Sequence, residues 1–459
     1  MERDTIVAVS TPPGEGALAI IRISGQGAVE IARSLFRTGS AGIVETFESH
    51  RVYYGFILDL KDGKKIDEVL LTVLLAPRSY TREDTIEISA HGGMQPVREI
   101  LRQTLSAGAR LAEPGEFTKR AFLNGRLDLA QAEAVMSVIR SRTEAGLKSA
   151  VSQLRGFLSR NIEELRREII GLLALMEAEI DFPEDVELSA VYDESLKKIQ
   201  GLIRKLDDLI ASADKGRILQ EGASLAIVGK PNVGKSSLLN RLLREARAIV
   251  TEIPGTTRDV LEAMVNIGGV PVRAFDTAGI RATTDRVERI GVERAREVIL
   301  QADILLLVLD GSQPLTEEDS VLAAECAQKR SILVINKRDL PQAINKEALT
   351  EMAPGSSLLH ISSLTGEGMP ALEAEIASML LGGEIVLEHI TVANIRQVEA
   401  LVRATEALRT GREAILCGQP AEITAVDLHD AADALGEITG ETTTDDVVDR
   451  IFSDFCVGK

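Results

Sequence analysis

Hydrophobic residues change their spacing along this chain more than once, and each change marks a different kind of element. Over the first part, short β-branched runs alternate with Gly/Pro punctuation. TIVAVS (5–10), ALAIIRIS (17–24), RVYYGFIL (51–58), LTVLLA (71–76) and TIEISA (85–90) predict strands. Amphipathic stretches at 28–36 and 96–106 predict helices, so this region reads as an α+β domain. At Asp128 the period lengthens to three and four. Asp128 and Gln131 have the form of a helix N-cap with its reciprocal partner. From there to Glu179, Leu158, Ile162, Leu165, Ile169, Leu172 and Leu173 keep a helical spacing, and only Gly146, Gly156 and Gly171 interrupt it. Phe182-Pro183 is expected to end the run, and a second amphipathic helix is predicted over 193–212.

Near Ser224 the pattern changes again, to apolar runs that end in polar residues. These are LAIVG (225–229), VRAFDTAG (272–279), ILLLVLDG (304–311), SILVINKRD (331–339) and LLHISS (358–363), most of them separated by helical stretches. Buried parallel strands read as such continuous runs, with ligands at their carboxyl ends. Beyond Gly383 the spacing is helical once more. The expected organisation is an α+β domain at 1–120, a helical domain in two parts at 121–217 and 383–459, and an α/β module at 218–382 inserted between those parts.

Composition narrows the functional classes. A chain of 459 residues exceeds one hydrophobic core and suggests about three domains. No stretch has the apolar length of a membrane span, and residues 1–10 lack the apolar core of a secretory signal. Cys326, Cys417 and Cys456 are too few and too scattered for a disulfide framework or a zinc site, which suits a reducing cytoplasm. The net charge of −18 argues against bulk electrostatic capture of nucleic acid. Residues 384–459 alone carry six Lys/Arg against fifteen Asp/Glu, a net of −9. Any RNA substrate must then be held by a small local patch or by a basic partner.

The chemistry concentrates at the strand ends. GKPNVGKS (229–236) is G-x-x-x-x-G-K-S between a strand and a helix. In that setting backbone N–H groups of Asn232, Val233, Gly234, Lys235, Ser236 and Ser237 cradle phosphates, Lys235 reaches the β- and γ-phosphates, and the Ser236 hydroxyl binds Mg²⁺. Asp276, Thr277, Ala278 and Gly279 close a later strand, the aspartate serving Mg²⁺ through its water shell and the Gly279 amide the γ-phosphate. Asn336, Lys337, Arg338 and Asp339 close another, and the Asp339 carboxylate accepts from the ring N–H donors of guanine, which selects GTP over ATP. Ser362, Ser363 and Leu364 stand where a loop supports the base. Thr251, Glu252, Ile253, Pro254, Gly255, Thr256 and Thr257 occupy the place of a switch loop, with Thr257 the candidate second hydroxyl on Mg²⁺. These motifs make the inserted module a Ras-like α/β P-loop GTPase domain.

Ile280 stands where Ras-like proteins keep a water-orienting glutamine, so another group must position water and offset charge. Asn232 offers an amide oxygen beside the β-phosphate and, with carbonyls of the 251–256 loop, is a candidate for holding a monovalent cation. A turn-forming asparagine is the other reading. Glu288, just beyond the switch, is either a general base acting through a bridging water or a solvated helix residue.

Several segments resemble the MnmE (TrmE) family of tRNA-modification GTPases. They are TPPG (11–14) with IRISG (21–25), GEFTKRAFLN (115–124), DLAQAE (128–133), DFP (181–183), DRVERIG (285–291) and FCVGK (455–459), spread over the whole chain. Val457 and Arg126 stand where relatives carry similar residues. The resemblance implies K⁺ held by Asn232, Thr251, Ile253 and Thr256, G-domain pairing across a homodimer, and a water-activating Glu288. It implies a 5-formyltetrahydrofolate site at Arg22, Glu87, Arg126 and Lys459. It also implies a flavoprotein partner of the MnmG (GidA) type in a heterotetramer, acting on the wobble uridine of tRNA. Cys456 is a candidate for one-carbon chemistry if its pKa is depressed, with simple packing as the other reading. Two alternatives stay open here. A ribosome-assembly GTPase of the Era or Der kind would need a basic RNA-binding module, and a dynamin-like GTPase would need a membrane-binding face.

Overall fold

The computed structural model describes residues 4–39, 42–181, 188–245, 262–276, 302–344, 349, 352, 356–382, 392 and 394–459. Two compact units emerge. One comprises Met1–Met136, Ser159–Ile170 and Ala432–Lys459, the other Ser137–Leu158 and Gly171–Ala431.

In the first unit the period-2 runs pair into one sheet. Its strands are β1 (Ile6–Val9), β2 (Gly16–Ser24), β3 (Phe36–Thr38), β4 (Arg51–Leu58), β5 (Lys65–Leu74), β6 (Thr85–Gly92) and β7 (Arg110–Leu111). They lie in the order β3-β4-β5-β6-β2-β1-β7, antiparallel except for the β1–β7 pair. Alternate residues sort to two faces. Val7, Ile21, Ile23, Ile86 and Ile88 build a core with α1 (Ala28–Leu35) and α2 (Met94–Ser106). Ile6 and Ala8 join Phe117 of α3 (Glu116–Leu123) in a second cluster, with Tyr80 against it. The five predicted strands and two predicted helices are present. The sequence reading passes over β3, β7 and α3; two- and three-residue strands have no period to detect, and α3 is only eight residues, about two turns.

Asp128 does cap a helix: its Oδ1 accepts from the Gln131 amide at 2.8 Å while the Gln131 side chain accepts from the Asp128 amide at 3.0 Å. The single helical run expected to Glu179 is instead three helices, α4 (Leu129–Arg140), α5 (Glu144–Leu154) and α6 (Phe157–Asp181). Thr143 starts α5 by accepting from the Gly146 amide at 3.1 Å, and Gly156, at φ 76°, separates α5 from α6. Both breaks are local polar or left-handed signals within an unbroken apolar pattern. Phe182 and Pro183 lie outside the described residues. The second predicted helix runs further than expected, as α7 (Leu188–Glu221). A Cβ on Gly146 would stand 2.7 Å from the Leu219 carbonyl, so that glycine lets α5 approach α7.

The second unit holds a six-stranded sheet of β8 (Ala223–Val228), β9 (Glu262–Ile267), β10 (Val270–Asp276), β11 (Ile304–Asp310), β12 (Ser331–Asn336) and β13 (Ser357–His360). The order is β13-β12-β11-β8-β10-β9, parallel except for β9 against β10. Gly268 and Gly269, both at positive φ, make the two-residue hairpin that adds β9, a strand the sequence reading did not include. The helices are α8 (Lys235–Glu245), α9 (Glu317–Cys326), α10 (Met369–Leu381) and α11 (Ile395–Leu416). The α12 helix (Ala421–Thr439) is divided between the two units at Ala431, and α13 (Asp445–Ser453) belongs to the first. Strands β11 and β12 are buried on both faces, β12 as far as Asn336, while Asp310 at the end of β11 is partly exposed. Among the described residues no helix is long and apolar enough to cross a membrane.

Candidate nucleotide site and a second polar cluster

The carboxyl ends of β8, β11 and β12 bring the nucleotide motifs into one place. Leaving β8, Gly229 adopts φ 150°, and a Cβ there would lie 2.4 Å from the Val308 carbonyl of β11. The loop then passes Asn232 at φ 65° and Gly234 at φ 100° before α8 begins at Lys235. Left-handed backbone is unfavourable for an L side chain, and asparagine tolerates it better than most residues. Lys235 is largely buried, and its ammonium donates to the Gly229 and Lys230 carbonyls at 2.8 and 2.7 Å. The helix N-terminus and this ammonium make the loop an anion site. Ser236 and Ser237 sit in the first turn of α8.

Asn336, only 1% exposed, ties the loops together. Its Nδ2 donates to the Val233 carbonyl at 2.8 Å, and its Oδ1 accepts from the Ser363 amide at 2.9 Å. Asp339 Oδ1 accepts from the buried Ser362 hydroxyl at 2.5 Å, which orients that carboxylate. The Ser362 oxygen in turn accepts from the Thr365 amide at 3.1 Å. Lys337, at φ 63°, donates to Asp310 Oδ2 at 2.6 Å. Burial works against the Asp310 carboxylate, but Lys337 and the Ser312 hydroxyl and amide outweigh it and hold the carboxyl below its usual range. Arg338 pairs with Glu367 at 3.3 Å, and Leu364 is 77% exposed. Asp276 ends β10, paired in register with Ile227 of β8.

A second cluster forms in the other unit. Arg22 of β2 and Glu87 of β6 are register partners on the sheet face away from the α1–α2 core, and Arg22 Nε donates to Glu87 Oε1 at 2.8 Å. The Arg22 guanidinium lies 5.8 Å from the Tyr80 ring and 5.7 Å from the Phe117 ring, while Arg126 lies 4.7 Å from Tyr80. The C-terminal segment reaches the same place. The Gly458 carbonyl accepts from Ser10 Oγ at 3.1 Å and from Arg22 Nη1 at 3.3 Å, and the Lys459 amide donates to the Cys456 carbonyl at 3.3 Å. Cys456 is exposed, and its carbonyl accepts from the Gly115 amide at 3.4 Å.

Two family models match the chain: the "GTP-binding protein TrmE N-terminus" over residues 5–126 and the "MnmE helical domain" over 129–456. A curated relative from Geobacillus thermodenitrificans, named tRNA modification GTPase MnmE, is 47% identical over 460 residues, covering 100% of both chains. The Enterococcus faecalis protein of the same name is 46% identical over 461 residues, 100% of this chain and 99% of its own. The chain belongs to the MnmE family of tRNA-modification GTPases. Among solved structures, Aquifex aeolicus Era is 30% identical over 40% of this chain and 66% of its own, with a TM-score of 0.29. The G domain of the Thermotoga maritima FeoB iron transporter is 28% identical over 34% of this chain and 98% of its own, at a TM-score of 0.27.

Within this MnmE-family chain the structure brings together Asn232 to Ser237, Asn336 to Asp339 and Ser362 to Leu364, and separately Arg22, Glu87, Arg126 and the segment ending at Lys459. Thr251, Glu252, Ile253, Pro254, Gly255, Thr256, Thr257, Thr277, Ala278, Gly279, Ile280 and Glu288 lie outside the described residues. Two residues beside these sites escaped the sequence reading. Asp310 carries a detectable signal, a carboxylate at the end of an apolar strand. Tyr80 carries none, since only the fold sets its ring beside two arginines.

Proposed function

We propose that this protein is a Mg²⁺- and K⁺-dependent GTP hydrolase of the bacterial cytoplasm. It adds an aminomethyl or carboxymethylaminomethyl group to the wobble uridine of certain tRNAs, together with a flavoprotein partner of the MnmG type. The full-length match to relatives named tRNA modification GTPase carries this reading. The acidic charge accords with a partner that supplies the basic surface for tRNA.

In this reading the loop from Asn232 to Ser237 binds the triphosphate, and Asn336, Lys337, Arg338 and Asp339 with Ser362, Ser363 and Leu364 select guanine. Ser236 and Thr257 hold Mg²⁺, with Asp276 acting through water. Asn232 holds K⁺ with carbonyls of Thr251, Ile253 and Thr256; the ion's charge does the work of an arginine finger. Glu288 orients the attacking water. The G domains pair across a homodimer, and two such chains join two flavoprotein subunits in a heterotetramer.

The second cluster fits a tetrahydrofolate such as 5-formyltetrahydrofolate. Glu87 offers an acceptor for amino and ring N–H groups, Arg22 and Arg126 offer guanidinium donors for carboxylates, and Tyr80 and Phe117 give an aromatic wall. Lys459 adds a cation, and Cys456, whose thiol is free and exposed, is the candidate for the one-carbon chemistry the folate supplies. GTP hydrolysis measured in K⁺ and in Na⁺ tests the mechanism: a rate at least about tenfold higher in K⁺ is expected, and equal rates would reject it. Mass spectrometry of tRNA nucleosides from cells lacking the protein tests the substrate.

A further inference from the structure

The phosphate loop is tied to the rest of its unit on both sides of Asn232. On the far side, Val233 is held through its carbonyl by Asn336 at 2.8 Å. On the near side, Lys230 stands between two anchors. Its carbonyl accepts from Lys235 Nζ at 2.7 Å, and its own ammonium leaves the loop to reach the start of α9. There Nζ donates to Asp319 Oδ2 at 2.6 Å and to Thr316 Oγ1 at 2.8 Å. Asp319 already has a local task as the reciprocal partner of the N-cap Thr316, whose amide and hydroxyl both reach Oδ2 at 2.9 Å. Such a cap works equally well on an exposed helix end. This carboxylate is different, because its side chain is only 4% exposed, and a charge that dry needs an opposite charge beside it.

Asn232 lies between these two ties at φ 65°, a conformation that persists only where the surrounding chain enforces it. Pro231, with its own φ fixed by the ring, transmits the anchoring of Lys230 directly to Asn232. We infer that Asp319 is a positioning residue for Asn232: by anchoring Lys230 it fixes the crest of the phosphate loop on which the monovalent cation is held. This rests on the K⁺ reading above. The carboxylate meets the phosphate loop through the Lys230 ammonium, and its effect on Asn232 passes through that contact.

The test is the K⁺ dependence of GTP hydrolysis by full-length D319N. Asparagine keeps one acceptor oxygen for the Thr316 amide, removes the charge and exchanges the other oxygen for an NH2 donor. Half-saturating K⁺ should rise about tenfold, the lower range of one charge-assisted hydrogen bond, and the rate at saturating K⁺ should approach wild type. Affinity for a fluorescent GDP analogue, measured in Na⁺, should stay within about threefold of wild type. K230Q removes the same ion pair while leaving the helix cap whole and should shift the K⁺ curve alike; K230R, which keeps the charge, should restore it. A residue serving only as a helix cap would lower the melting temperature of D319N and leave the K⁺ curve where it was, and that outcome overturns the inference. Equal hydrolysis by the wild type in K⁺ and Na⁺ would remove both the cation site and its positioning, whereas a responsive wild type with unmoved D319N and K230Q curves removes the positioning alone.

Discussion

Asn336→Ala should be among the most damaging single changes in the nucleotide site, although its side chain joins two stretches of backbone. The asparagine is buried and makes two bonds of ordinary length, to the Val233 carbonyl at 2.8 Å and from the Ser363 amide at 2.9 Å. Truncation leaves both partners unmade. Val233 is buried, so its orphaned carbonyl costs about 1–3 kcal/mol. Ser363 is half-buried and its amide can recruit water, so the second loss is nearer 0.5–1.5 kcal/mol, about the net value of an ordinary hydrogen bond. The sum, about 1.5–4.5 kcal/mol, divides between lower stability of the free protein and weaker nucleotide binding, because the nucleotide must then organise both loops itself. If half appears in binding, GDP affinity falls by about four- to fortyfold. Titration with a fluorescent GDP analogue, beside thermal unfolding of the apo protein, measures both parts. Asn336→Asp is the sharper control: it keeps an acceptor for Ser363 but sets a carboxylate against the Val233 carbonyl, and it should be no better than alanine. Unchanged affinity and unchanged melting temperature in both variants would refute the idea that Asn336 braces the loops.

A Cβ on Gly234 would lie 2.2 Å from Asn336 Nδ2, at a φ of 100° that disfavours any side chain, so Gly234→Ala should mimic Asn336→Ala. The double variant should lose clearly less GDP affinity than the sum of the singles, since they break one contact. Glu116 accepts from Arg110 Nη1 and Nη2 at 2.8 and 2.6 Å, from Arg120 Nη2 at 2.9 Å and from the Glu113 amide at 2.9 Å. Burial pushes its carboxyl up, but these donors outweigh it and hold the pKa below the usual range. The unfolded chain therefore takes up this proton first. The stabilisation is complete above the ordinary carboxylate pKa and is lost as pH falls through the lower folded value, below about pH 4. Glu116→Gln should flatten that acid limb in unfolding measured against pH. At Gly458, φ 92°, a methyl group would meet the Val9 carbonyl at 2.6 Å. Gly458→Ala should free the C-terminal segment and speed hydrogen exchange of the Gly115 amide, which donates to Cys456, by about tenfold or more.

Local chemistry was enough to locate most of the elements and the nucleotide loop. Strands β2, β4, β11 and β12 declare themselves through two-residue alternation or unbroken apolar runs, and G-x-x-x-x-G-K-S through the glycines that backbone–phosphate approach requires. The cap at Asp128 was legible because both partners lie within four residues. What the sequence could not supply were the ties between distant segments. Nothing local says that Lys230 meets Asp319, that Asn336 braces Val233, that Tyr80 stands beside Arg22 and Arg126, or that Gly458 returns to Ser10 across 448 residues. Spacing reports how one segment hydrogen-bonds to itself and which face it buries. Which faces then meet depends on sheet order and on burial that makes each polar group find partners within the protein, and those are properties of the folded chain alone.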